Sequence, residues 1–197
     1  GIALTRLDCR QESERHAEAL DAITIHLGLG SYLAWDEEAR CTWIETELAS
    51  KRPLLAPDMP ASDKVAEVLA TFATIGELPS ECLGAYVISM AHAASDVLAV
   101  RLLQKAAGVG VPMRVVPLFE TRDDLQAAPH VMRRVFASGA YDHGGTHEVM
   151  LGYSDSSKDA GKLASLWELH CAMEAILSVS ASAGVALNFF HGRGGSI

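Results

Sequence analysis

The sequence predicts an α/β protein with about five parallel strands, and three observations lead there. From Ala85 onward, short β-type runs alternate with amphipathic helical stretches. Single helices between strands force parallel pairing, because each crossover must return the chain to the same edge of the sheet. Two of the runs, Val149-Met150-Leu151 and Val185-Ala186-Leu187, each deliver a dense set of polar and glycine residues, Gly152 to Gly161 and Phe189 to Ile197. Functional groups of parallel α/β proteins collect at such strand ends. About five strands do not close an eight-stranded barrel, so a section of a barrel and an open doubly wound sheet both fit the pattern.

Taken in order, Ile2 to Cys9 reads as a strand. From Glu12 the spacing turns helical through Ala17, Leu20, Ile23 and Leu27, and Gly28 and Gly30 close the helix. Asp36 to Ala49 is a second amphipathic helix, with Trp43, Ile44 and Leu48 inward. Lys51 to Ser62 holds three prolines and is a loop. Ser62-Asp63 caps a helix through Val65, Val68, Leu69 and Phe72. Tyr86 to Met90 is a strand, and Ser95-Asp96 caps the helix that runs to Gly108. Arg114 to Phe119 is the next strand, and Asp123-Asp124 opens a helix from Leu125 to Phe136. A glycine- and histidine-bearing loop leads to a strand at Val149 to Tyr153. A long helix from Asp159 to Ala183 and a last strand at Val185 to Phe190 complete the pattern.

The 197 residues suffice for one domain with a sizeable core, and 49% hydrophobic against 21% charged residues is a globular balance. A net charge of −9 argues against a nucleic-acid or anionic-membrane surface, which needs clustered Lys and Arg. The four cysteines are scattered without a CxxC pair, as expected of small buried residues in a reducing compartment. No signal-type or membrane-spanning run is present, so a cytoplasmic location is expected. The chain opens in a strand-like run and ends inside a glycine-rich loop, which suggests one segment, 1–197, cut from a longer protein at both ends.

Charge sits at four strand ends: Arg10, Glu120, Asp155 and His191 with Arg193. Two carboxylates converging from different strands suit Mg²⁺ or Mn²⁺, which take oxygen ligands; the same acids also suit caps of the helices that follow. Arg193 lies between glycines that let backbone N–H groups approach an anion, and Lys158 is either a second positive group or a solvated first-turn lysine. His191 fits an acid/base role, a phosphate donor or a structural hydrogen bond. The other histidines show no zinc spacing, and no Gly-x-Ser-x-Gly elbow appears. Leu118 and Met150 are either core or the walls of a small pocket.

Leu7-Asp8-Cys9-Arg10-Gln11-Glu12-Ser13, Ile88-Ser89-Met90, Ser95-Asp96-Val97-Leu98, Pro117-Leu118-Phe119-Glu120-Thr121, Tyr153 to Gly161 and Phe190 to Gly195 together resemble the phosphoenolpyruvate carboxylase family, in the family's order. The resemblance implies part of a TIM-type barrel of the phosphoenolpyruvate/pyruvate class, elaborated with helices. It implies a lyase that forms oxaloacetate and phosphate from phosphoenolpyruvate and bicarbonate, through carboxyphosphate and a metal-stabilised enolate. Matched residue by residue, it makes Glu120 and Asp155 ligands of Mg²⁺ or Mn²⁺. Arg10 and Arg193 become the holders of the substrate phosphate, Lys158 serves the bicarbonate step, and His191 is the histidine of the glycine-rich motif. Leu118 and Met150 become the apolar wall beside the substrate methylene. A homotetrameric full-length protein is also implied.

The resemblance places the family's essential proton-accepting histidine upstream of this segment and further phosphate-binding arginines downstream. Residues 1–197 alone are therefore expected to be inactive. The rival readings are a non-catalytic domain that keeps the fold and binds a phosphorylated metabolite or a partner, and another metal-dependent lyase or phosphotransferase of the same barrel class.

Overall fold

A computed structural model describes residues 5–56, 59–139, 145–152 and 162–192. Five strands, β1 (Leu7–Glu12), β2 (Leu83–Ser89), β3 (Arg114–Phe119), β4 (His147–Gly152) and β5 (Leu187–Gly192), form one sheet. Every neighbouring pair is parallel and the spatial order is β1-β2-β3-β4-β5. A doubly wound sheet reverses its strand order at a switch point. This sheet does not reverse, so it is singly wound, as a section of a barrel is.

Six long helices are described: α1 (Ser13–His26), α2 (Glu37–Ala49), α3 (Asp63–Glu77), α4 (Ala94–Ala106), α5 (Arg122–Ala137) and α6 (Lys162–Ala183). Their apolar stripes meet one face of the sheet in a single core that includes Leu20, Ile44, Phe72, Leu98, Val131 and Ile176 from the helices and Tyr86, Ile88, Phe119, Val149 and Leu151 from the strands. Burying one such side chain is worth about 1.5–3 kcal/mol. Alternation along the same strands sends Ala85, Val87, Val116, Leu118 and Met150 to the other face, where they form a separate small cluster. Among the described residues no helix contributes to it.

Several ends are set by local chemistry. Asp36 and Ser62 accept the backbone N–H of Ala39 and Val65 and start α2 and α3 as the sequence predicts. The cap expected at Ser95-Asp96 differs. α4 begins at Ala94, and Asp96 reaches back to accept the N–H of His92 and Ala93, while Ser95 donates to Glu37 of α2. Gly28, Gly108 and Gly184 take left-handed backbone (φ 73°, 73° and 69°) and close α1, α4 and α6 with paired backbone bonds. Val185 is consumed in the last of these, donating to Ser180 at 2.9 Å, which explains why β5 starts at Leu187 rather than at Val185.

Candidate active site

Parallel pairing puts the ends of all five strands on one edge. There Arg10, from β1, meets Glu120, which follows β3: Nη2 donates to Oε1 at 3.1 Å across 110 residues of sequence. The other carboxylate oxygen of Glu120 accepts the backbone N–H of Met90, just beyond β2, at 3.2 Å. The Glu120 side chain is only 19% exposed, against 53% for Arg10. Glu120 does not cap α5. That role falls to Thr121, whose hydroxyl accepts the Asp124 N–H, while Asp124 accepts the N–H groups of Thr121 and Glu120 in return. Burial pushes the Asp124 carboxyl up, but its bonds to Thr121 and to the His92 ring outweigh this and hold it below the ordinary carboxylate range.

Close approach of β4 completes this corner. A Cβ added at Gly152 would lie 2.9 Å from the Cα of Glu120, so only glycine lets the end of β4 sit against that residue. Two residues back along the strands, Leu118 and Met150 are register partners on the face without helices, with Leu118 buried and Met150 partly so. Met150 is in turn aligned with Phe190, which is 57% exposed.

Of the predicted site residues, the structure thus brings together Arg10, Glu120, Leu118 and Met150. His191 lies near the end of β5 in register with Leu151, so strand alternation assigns it to the side of Leu151 and Val149 rather than that of Met150. Asp155, Lys158 and Arg193 lie outside the described residues. Sequence reasoning missed Met90, Gly152 and Phe190. Gly152 stood in the polar run without a role of its own, and Met90 and Phe190 stood inside quoted motifs without one, since nothing in a methionine's residue type marks its backbone.

Comparison with known proteins agrees with the resemblance seen in the sequence. The family model described as "Phosphoenolpyruvate carboxylase" matches residues 1–197. "Phosphoenolpyruvate carboxylase 2" of Arabidopsis thaliana is 54% identical over 199 residues, covering all of this chain and 21% of that protein. "C4 phosphoenolpyruvate carboxylase" of Flaveria trinervia is 52% identical over 199 residues with the same two shares. The chain thus spans about a fifth of the length of these relatives. It belongs to the phosphoenolpyruvate carboxylase family.

Proposed function

We propose that this chain is the segment of a phosphoenolpyruvate carboxylase that carries one corner of its active site, within a section of an eight-stranded barrel. The reaction is carboxylation of phosphoenolpyruvate by bicarbonate to give oxaloacetate and phosphate. The observation that carries the reading is the meeting of Arg10 and Glu120 at 3.1 Å on the edge where the strands end. A cationic group suited to an anion and a carboxylate suited to a cation stand side by side there.

The family implies a divalent metal in general. Glu120 fits one: it is a largely buried oxygen donor whose Oε1 already faces a cationic group. Glu120 and Asp155 would hold the ion. When bound, Mg²⁺ or Mn²⁺ supplies Lewis-acid charge neutralisation beside the substrate oxygens. Arg10 and Arg193 hold the substrate phosphate with planar donor forks, and Lys158 places a compact charge on bicarbonate. His191 supplies a hydrogen bond or a proton at the same strand-end edge. Leu118 and Met150 keep water from the substrate methylene, so that the enolate meets carbon dioxide before a proton. The Arg10–Glu120 pair is half open to solvent on the arginine side, so exchanging it for ligands sacrifices at most about 1 kcal/mol. A cytoplasmic homotetramer as the full-length form belongs to the same reading.

The test uses the full-length protein. Glu120→Ala and Asp155→Ala should each raise the Mn²⁺ needed for oxaloacetate formation sharply, as followed by coupling to malate dehydrogenase. Unchanged metal dependence in both variants removes the two acids from the metal site.

A further inference from the structure

Met90 is the one non-glycine residue with left-handed backbone among the described residues, at φ 55°. A side chain disfavours that conformation, and such outliers persist only where their surroundings hold them. Here the hold is visible. The Ser13 hydroxyl, at the first position of α1, donates to the Met90 carbonyl at 2.6 Å. On the other side of the same residue, the Met90 N–H donates to Glu120 Oε2 at 3.2 Å. Ser13 is 8% exposed and Met90 41%, so the bond is sheltered on the serine side. The β1–α1 junction therefore grips Glu120 twice, directly through Arg10 and indirectly through Ser13 and the turned backbone of Met90.

From this geometry we infer that Ser13 is a positioning residue for the Glu120 carboxylate, acting through the left-handed peptide of Met90. The inference rests on the reading of Glu120 as a metal ligand. With the Met90 N–H fixed on Oε2, the carboxylate is aimed before a cation arrives, and less ordering remains to be done on binding. Without the tie to Ser13, Met90 relaxes towards ordinary backbone, its N–H turns away, and Glu120 loses that support.

The experiment is direct Mn²⁺ binding to the full-length protein, read from the electron paramagnetic resonance signal of free Mn²⁺. Ser13→Ala should weaken binding about tenfold, the lower end of what outer partners of a ligand are worth. Ser13→Thr keeps the hydroxyl and should restore binding to within about threefold, a recovery that a packing role alone would not give. Met90→Val keeps Ser13 but replaces the turned residue with a β-branched one that resists positive φ, and should weaken binding as Ser13→Ala does. If Ser13→Ala does not fold, this variant decides the matter alone. Glu120→Ala is the control for the underlying reading and should weaken binding more than either. Weak binding in Glu120→Ala with normal binding in Ser13→Ala and Met90→Val overturns the inference and leaves the reading of Glu120 standing. Normal binding in Glu120→Ala overturns both.

Discussion

Among the described residues, the face of the sheet without helices carries two Arg–Glu pairs that look alike. Arg10–Glu120 at the C-terminal edge spans 3.1 Å with side chains 53% and 19% exposed. Arg114–Glu148, at the start of β3 and β4, spans 3.0 Å with 53% and 21%. By distance and exposure nothing separates them. The backbone around them does. Glu120 is backed by a glycine that no other residue can replace without a shift, and its second oxygen is held by a left-handed methionine. Among the described residues no left-handed backbone flanks the Arg114–Glu148 pair. In parallel α/β proteins functional groups collect at the C-terminal ends of strands; the proposed site takes the Arg10–Glu120 edge, and Arg114–Glu148 lies at the opposite one.

Removing one acid from each pair in the full-length protein should separate the two edges most widely. Glu120→Ala should raise the Mn²⁺ requirement by more than the roughly tenfold to hundredfold that an outer partner of a ligand is worth. Glu148→Ala should leave it unchanged. Equal effects would mean that the two edges do not differ.

A second prediction concerns the helix-covered face. His16 is fully buried, shares a 2.8 Å hydrogen bond with Tyr86, and burial lowers its pKa from 6.5 to about 4. The unfolded chain takes up that proton first, so the stability His16 contributes is intact above pH 6.5 and is lost as pH falls towards 4. Denaturant midpoints should reveal a loss of about 2 kcal/mol by pH 5. His16→Gln should flatten that slope, which would place the acid sensitivity behind the sheet and at neither edge.

Two glycines extend the contrast. Gly152→Ala drives a methyl group into the backbone of Glu120 and should lower kcat/KM about tenfold, as small misplacements of a site do. Gly84→Ala, near the start of β2, clashes with the Asp8 carboxylate, a movable group that accepts the N–H of Ala85 at 2.7 Å, and reaches the Leu7 backbone carbonyl only at ordinary contact distance. Losing that bond should cost about 1 kcal/mol of stability and no activity. Smallest of all, Arg114→Ala should shift stability by less than about 1 kcal/mol, the worth of an exposed pair.

Much of this frame was legible because local rules decide it. β3 runs from Arg114 to Phe119 as its apolar run predicts, and Asp36, Ser62 and Gly28 act where cap chemistry puts them. Strand ends were legible less well, since partners set them. β1 was expected at Ile2 to Cys9, yet its pairing continues to Glu12 because Arg10, Gln11 and Glu12 find register partners in Val87, Ile88 and Ser89. Winding order was illegible too. Alternating strands and helices fit two sheet types, and only the pairing distinguishes them. Residues that carry charge announced themselves, as Arg10 and Glu120 did. Residues that matter through their backbone did not, because a methionine with positive φ has the same letter as any other.

On the proposed reading, Arg10 and Glu120 part company when ligands bind, one turning to phosphate and the other to a divalent ion. A structure of the full-length protein with Mn²⁺ and a non-reacting phosphoenolpyruvate analogue tests it most directly, with the ion located by its anomalous scattering. Mn²⁺ should sit on the Glu120 carboxylate and the Arg10 guanidinium on the analogue's phosphate. An ion bound elsewhere, with the Arg10–Glu120 pair intact, would contradict that reading.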